Sequence, residues 1–204
     1  MGTRVKFYSE KHKIIVGISA RAGNRIVWRF LNPIGDIQKD VIHKNHLVHD
    51  SNYLSIGLMK NPYHRVIGSY WWASSHDPMF KGKNISFKQF LDSIETMNLD
   101  NCNFHWGWQD DHLKYDYNFK IEDGWDNIIK VIKEKRNIDL EPIKESGMSE
   151  RYNPNCKVYD TPRDDLQHEG SFPSYDSYYD DDGIIKERVT KLYKPDIDMY
   201  NSII

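Results

Sequence analysis

Two cations and a hydroxyl group follow an apolar run in the first third of the chain. The run, residues 53–59, predicts a buried strand, and Asn-Pro next to it is typical of a turn. An amphipathic helical pattern comes next, so Lys60, Arg65 and Ser69 fall on a strand-to-helix junction. Backbone N–H groups at such a junction favour an anion. The alternative interpretation is an ordinary solvated helix start.

A second strand-to-helix turn of this kind lies upstream. Residues 13–19 predict a central parallel strand, because they are β-branched without alternation. The turn and the first helical residues are Arg21, Ala22, Gly23, Asn24 and Arg25. Small residues let backbone amides approach a phosphate and arginines add charge, although a plain turn between strand and helix is the alternative. Two phosphate-type sites on one sheet suggest a nucleotide with phosphates at both ends.

Strands and helices alternate along the sequence. Predicted strands at 13–19, 53–59 and 117–121 are separated by helical patterns, which favours an α/β fold. We expect one domain, residues 1–204, with a central parallel β-sheet flanked by helices and a P-loop-like strand-turn-helix. Both anion candidates then lie at the carboxyl edge of the sheet, where ligands bind in such folds. Residues 137–180 are polar and proline-containing, which indicates a functional loop rather than a linker.

Composition limits the classes of partner. The 204 residues carry a formal net charge of −2, so there is no overall electrostatic case for nucleic acid, and any anion site must be local. Cys102 and Cys156 lack the spacing of a metal site or a disulfide framework. No signal-peptide pattern and no run of membrane-spanning length is present. We therefore expect a soluble cytoplasmic protein without a metal or a membrane partner.

Four segments, in order, resemble the sulfotransferases that use 3′-phosphoadenosine 5′-phosphosulfate, in the branch related to carbohydrate sulfotransferases. Residues 14–25 resemble the family's strand and 5′-phosphosulfate loop, and residues 60–70 its 3′-phosphate motif, Arg-Asn-Pro-Tyr-x-Arg-(apolar)₂-Ser-x-Tyr. Residues 105–122 resemble its His-x-x-x-Gln … Tyr-Asp … Glu pattern, and residues 178–198 its terminal Tyr … Tyr-x-x-Asp-Ile helix.

The resemblance implies a donor nucleotide and an acceptor. The upstream turn, from Arg21 to Arg25, would hold the 5′-phosphosulfate end, whereas Lys60, Arg65 and Ser69 would hold the 3′-phosphate, with Arg65 alternatively structural. The acceptor would be a glycan or a small molecule, and the product nucleotide adenosine 3′,5′-bisphosphate.

Several positions depart from the family pattern, among them Asn24 and Arg25 in place of the usual Thr-Ser. Aligning the Ala-Gly of the turn puts Ala20 where the loop lysine belongs, with Arg21 one place later. Lys60 replaces an arginine, so a point charge stands in for a bidentate fork. Gly68 occupies the serine position and Ser69 follows it, and one residue on a helix is a rotation of about 100°.

Histidine suits the proton step, because its pKa lies near neutrality. His46 and His49 precede the Lys60 strand, where related glycan sulfotransferases place a catalytic histidine, and His43 shares that segment. His105 is the next candidate. For each of them a surface or hydrogen-bonding role is the alternative, and a zinc site lacks an acidic or cysteine partner at suitable spacing.

The resemblance thus implies transfer of a sulfuryl group from 3′-phosphoadenosine 5′-phosphosulfate to a hydroxyl or amine. A nucleotide or small-molecule kinase of related fold is one alternative, although the Gly-Lys-Ser/Thr ending and an acidic magnesium ligand are missing. A non-catalytic nucleotide- or glycan-binding relative is the other, and Ala20 is the residue that keeps it open.

Overall fold

The computed structural model describes residues 3–43, 52–99, 103, 105–109, 115–143, 151–166 and 171–204. The main strands are β1 (Thr3–Ser9), β2 (Ile14–Ser19), β3 (Gln38–His43), β4 (Leu54–Met59) and β5 (Tyr117–Lys120). The helices are α1 (Asn24–Leu31), α2 (Pro62–His76), α3 (Phe87–Ile94), α4 (Asp126–Arg136), α5 (Ile184–Leu192) and α6 (Lys194–Ser202). A separate two-stranded pair joins β6 (Arg151–Tyr152) and β7 (Phe172–Pro173).

The central sheet is mixed, with strand order β3-β1-β2-β4-β5. Strands β2, β4 and β5 are parallel to one another, whereas β1 runs antiparallel to both of its neighbours. The parallel sheet that the sequence predicts is thus limited to β2, β4 and β5, and β1 lies inside the sheet between β2 and β3. The sheet is mixed because β3, which begins with three polar residues, pairs with β1 and forms the edge.

Apolar side chains cover both faces of the sheet. On one face, α1 and α4 contribute Val27, Phe30 and Ile128, and Trp125 stacks on Phe30 at 4.4 Å between ring centroids. On the other, α2, α3 and α5 pack around Tyr70, which is fully buried. The α/β class and the single domain are confirmed.

Two glycines on β2 and β4 let an aromatic ring approach the second face. A Cβ on Gly17 or Gly57 would overlap the ring or hydroxyl of Tyr115, so glycine is required at both positions for this packing. Nearby, Asp116 Oδ2 accepts hydrogen bonds from Ser55 N at 2.9 Å and Ser55 Oγ at 2.8 Å. These contacts fix the segment before β5 against the middle of the sheet.

Local capping explains where two helices begin. Ser86 Oγ accepts a hydrogen bond from Gln89 N, and Gln89 Oε1 accepts one from Ser86 N, which is the capping box that the spacing predicts. Asn61 Oδ1 accepts from Tyr63 N at 2.9 Å, and Pro62 occupies the first helical turn of α2. The start of the second helix is thus fixed next to Lys60.

Candidate functional site

The turn between β2 and α1 has an unusual backbone. Arg21 has a φ of 62° and Gly23 a φ of 105°, so both adopt the left-handed conformation. Gly23 is the residue before the helix, and its carbonyl accepts from Ile26 N at 2.8 Å. No side chain caps the helix and its first turn has no acidic residue. The N–H groups of Asn24 and Arg25, at the very start of the helix, therefore lack intrahelical acceptors and lie at the positive end of the helix dipole.

A buried glutamine joins this turn to the end of β4. Gln109 is 1% exposed, and its Oε1 lies 3.0 Å from Ser19 Oγ and 3.2 Å from Lys60 N. Its Nε2 donates to the Lys60 carbonyl at 2.9 Å. The carboxyl ends of the two neighbouring strands are thus held together by one side chain. Beside them, Glu122 Oε1 accepts from Asn61 N at 2.8 Å.

A cavity of about 770 Å³ opens at this edge of the sheet. Its volume is within the range of ~300–1,000 Å³ found for small-molecule sites. Six cationic side chains line it: Arg21, Arg25, Arg29, Lys39, Lys60 and Arg151. The remaining lining residues are Phe7, Gly23, Asn24, Ile26, Trp28, Gly68 and Tyr175. None of the lining residues that the structure describes is acidic, although acidic residues outnumber basic ones in the chain, 30 to 28.

Tyr175 lies at the Lys60 side of this cavity. Its hydroxyl accepts a hydrogen bond from Lys60 Nζ at 3.1 Å. One face of its ring stacks on His64 at 4.2 Å, and the Arg151 guanidinium lies 3.6 Å from the ring centroid. Burial alone would raise the pKa of Tyr175, but the charges of Lys60 and Arg151 outweigh that effect and lower it. The phenol is thus held among cations at the cavity wall.

The surroundings of Arg21 disfavour its charged form. Desolvation and then the charge of Arg65 lower the pKa of Arg21 from its ordinary value. Its guanidinium also lies 5.8 Å from the centroid of the Trp72 ring. An anion in the cavity would relieve this repulsion, because it would bring a compensating charge to a partly desolvated cation.

Arg65 and Ser69 do not reach the cavity. Arg65 is 1% exposed, and it donates from Nε to the Ala20 carbonyl at 3.0 Å and from a terminal nitrogen to the Gly107 carbonyl at 2.7 Å. Ser69 is fully buried, with Oγ 2.6 Å from the His105 carbonyl oxygen. Arg65 therefore supports the turn from behind, which agrees with the structural alternative, and Ser69 contacts the His105 carbonyl instead of lining the cavity. Gly68 lines the cavity instead of Ser69.

The other predicted nucleotide-binding residues divide by position. Arg21, Gly23, Asn24, Arg25 and Lys60 line the cavity. Ala22 is 1% exposed and packs into the core below the turn, so only its backbone is available there. Ala20 occupies the position of the family's loop lysine, but it is equally buried and its methyl group brings no charge to the cavity.

His105 lies beside the cavity rather than in its lining. Its ring stacks on Trp72 with 3.5 Å between centroids. Burial, followed by the charges of Arg21 and Arg65, lowers the pKa of His105 to about 4. The imidazole is therefore neutral at physiological pH and a weak base.

Of the remaining histidine candidates, the structure describes His43 alone. His46 and His49 lie outside the described residues. His43 ends β3, where its backbone pairs with Thr3 at the cavity edge of the sheet.

Several cavity residues were not predicted. Trp28 and Arg29 follow Arg25 by one turn of α1, so helical spacing alone could have predicted that they lie on the same side of the helix as Arg25. Lys39 and Phe7 are brought in by the unpredicted pairing of β3 with β1. Nothing in the sequence marks Tyr175, which belongs to the long segment expected to be functional.

Among the described residues, no group of three or more histidine, cysteine, aspartate or glutamate side chains is placed to hold a metal ion, and no helix combines the length and apolarity needed to cross a bilayer. Comparison with known proteins gave no matching family model, no matching curated protein and no matching solved structure.

Proposed function

We propose that this chain transfers a sulfuryl group from 3′-phosphoadenosine 5′-phosphosulfate to a hydroxyl or amine of a carbohydrate or small-molecule acceptor. The observation that carries the proposal is the cavity with six cations and no described acidic residue, built where two parallel strands end. Mutual repulsion makes such a cavity costly when it is empty of counter-charge, and a ligand with several negative charges offsets that cost.

Two groups of residues would bind the two ends of the donor. The N–H groups at the start of α1, with Arg21 and Arg25, would bind the 5′-phosphosulfate, and Lys60 with Arg151 and Tyr175 would bind the 3′-phosphate; all of these side chains line the cavity. Helix starts and arginine forks both suit phosphate and sulfate oxygens. Arg21 would take over the role of the missing loop lysine, because it is the cation of the turn that lines the cavity.

The reaction places few chemical demands on the protein. The acceptor oxygen or nitrogen forms a bond to sulfur, and the bond from sulfur to the bridging phosphate oxygen breaks, which releases adenosine 3′,5′-bisphosphate. The acceptor proton passes to a base, for which His46, His49 and His105 stay predictions. Arg21 would stabilise charge on the leaving phosphate, since fixed cations act most strongly where charge develops.

The two alternatives make different demands on this cavity. A kinase acting on a magnesium–nucleotide complex needs carboxylate ligands, and none of the described lining residues supplies one. A binding protein without activity needs only the charge, so an experiment must separate it from an enzyme.

Thermal unfolding with a series of nucleotides tests the proposal. We expect adenosine 3′,5′-bisphosphate to raise Tm more than AMP or magnesium–ATP at equal concentration, because it has one phosphate for each of the two groups of residues. Arg21→Met should reduce this shift, whereas Lys88→Met, an exposed cation away from the cavity, should leave it unchanged. An equal or larger shift with magnesium–ATP would refute the proposal in favour of a kinase.

Transfer is measured separately, with a donor labelled in its sulfuryl group and a panel of sugars, phenols and simple alcohols. A labelled product that disappears with Arg21→Met supports the enzyme. Tight bisphosphate binding with no labelled product across the panel favours the non-catalytic relative.

A further inference from the structure

The cavity has a second part whose chemistry differs from that of the phosphate end. This outer part is formed by Phe7, Ile26, Trp28, Arg29 and Lys39, on the solvent side of α1 and on β1 and β3. It combines flat apolar surface with positive charge, whereas the part around Lys60 is dominated by cations and a turn backbone.

Contacts among these residues define a wall and a floor. The rings of Phe7 and Trp28 lie 6.0 Å apart between centroids at an angle of 47°. Phe7 is 1% exposed and forms the floor, while Trp28 is 37% exposed and presents its ring to the cavity. Lys39 is the direct strand partner of Phe7, so its side chain leaves the sheet on the same face.

Charge reaches this part from two elements. Arg29 follows Arg25 by four residues on α1, which puts both on one side of the helix. Lys39 approaches from β3. A planar ring stacked on Trp28 would therefore lie in the same part of the cavity as two cations, one from α1 and one from β3.

We infer that the outer part of the cavity is the acceptor subsite and that it takes a planar, ring-containing molecule carrying an anionic group such as a carboxylate. The inference rests on the proposed function for the word acceptor, but the binding it describes does not. Stacking on Trp28 would orient the ring, and the cations would fix its anionic end, so that a hydroxyl or amine on the ring faces the phosphosulfate end. There its oxygen or nitrogen forms the new bond to sulfur while the bond from sulfur to the bridging phosphate oxygen breaks; the proton passes to the base and the bisphosphate leaves.

The test uses 6-hydroxy-2-naphthoate as the probe, because it has a planar ring, a carboxylate and a hydroxyl. Isothermal titration compares it with 2-naphthol, which lacks the carboxylate, and with acetate, which lacks the ring. We expect the hydroxynaphthoate to bind about tenfold more tightly than 2-naphthol, as a charge-assisted hydrogen bond of about 1.5 kcal/mol provides. Acetate should bind weakest. Saturating adenosine 3′,5′-bisphosphate should leave the probe bound.

Variants locate the binding. Trp28→Ala should weaken the probe about two- to tenfold, which is the range for loss of an aromatic pair, and Trp28→Phe should restore most of it. Lys39→Met should lower the affinity for the probe about two- to fivefold and leave the affinity for 2-naphthol unchanged, since it removes one exposed charge. Lys130→Met, an exposed cation on α4, is the matched control.

The outcomes separate this inference from the proposed function. Equal binding of the probe and 2-naphthol, or unchanged binding in both Trp28→Ala and Lys39→Met, overturns the inference. Displacement of the probe by the bisphosphate also overturns it, because the outer part would then hold the nucleotide itself. Probe binding that responds to these variants in a protein that fails to bind the bisphosphate supports the subsite and overturns the proposed function.

Discussion

Arg65 provides the sharpest test of how the two turns are held together. Its guanidinium is 1% exposed, donates to the carbonyls of Ala20 and Gly107 at 3.0 and 2.7 Å, and lies 3.9 Å from Asp196 Oδ2, which is also buried. Arg65→Met keeps much of the side-chain length but removes all of these donors. It leaves the Asp196 carboxylate without its neighbouring cation, in a place that water does not reach.

The expected loss of stability follows from this geometry. Breaking a buried charge pair by removing one partner costs about 3–5 kcal/mol, mostly because the other charge stays buried. By contrast, Lys194 and Asp198 form a pair whose side chains are 68% and 60% exposed, so Lys194→Met should cost less than about 1 kcal/mol. Arg65→Lys should cost less than Arg65→Met, because it keeps a cation for Asp196, but more than Lys194→Met, because an ammonium cannot reproduce the fork that reaches two carbonyls.

Urea unfolding of these variants, with equal m-values as the check on two-state behaviour, measures the difference. We expect Arg65→Met with Asp196→Asn to cost less than the sum of the two single changes, because the second change removes the stranded charge. Bisphosphate affinity should also fall in Arg65→Met, since the Ala20 carbonyl loses its tether below the turn. A cost for Arg65→Met no larger than that for Lys194→Met would refute this account.

Two further predictions concern the ligand and the pH dependence of stability. Lys60→Ala should weaken adenosine 3′,5′-bisphosphate by about 1.5–3 kcal/mol in titration calorimetry and change 5′-AMP little, because its charge faces only the extra phosphate; equal losses for both ligands would contradict it. The pKa of His105 falls from 6.5 to about 4 on folding, so the unfolded chain binds its proton first and the free energy of unfolding should drop as pH falls from 6.5 to 4. Solvent screens this half-buried ring, so the loss should be about 1–2 kcal/mol, less than the full ~1.4 kcal/mol per pKa unit; His105→Asn should flatten that part of the urea-midpoint profile, and an unchanged profile would contradict it.

Local sequence signals predicted the elements that carry the two turns. The β-branched run of β2 and the apolar run of β4 are confirmed as neighbouring parallel strands, each followed by a helix. The capping box at Ser86 is a signal of the same local kind, because it depends on residues within three positions of each other. The same local signals predicted five residues that line the cavity: Arg21, Gly23, Asn24, Arg25 and Lys60.

The burial of individual polar side chains on α2 could not be predicted from local sequence signals. Arg65 and Ser69 have the residue types of a phosphate site and stand next to one, yet both side chains point into the protein. Which side of α2 faces the core is decided by what packs on it from far along the chain, such as Gly107 and Asp196.

Tertiary structure alone assembled the rest of the cavity. Lys39 arrives because a polar strand pairs with β1, and polar edge strands lack the alternation that marks a half-buried strand. Tyr175 reaches Lys60 across 115 residues of sequence. The sequence by itself therefore determined the α/β elements and the two cationic turns, whose signals are local. The charged cavity was decided only by folding, because its walls meet through contacts between distant segments that no local pattern encodes.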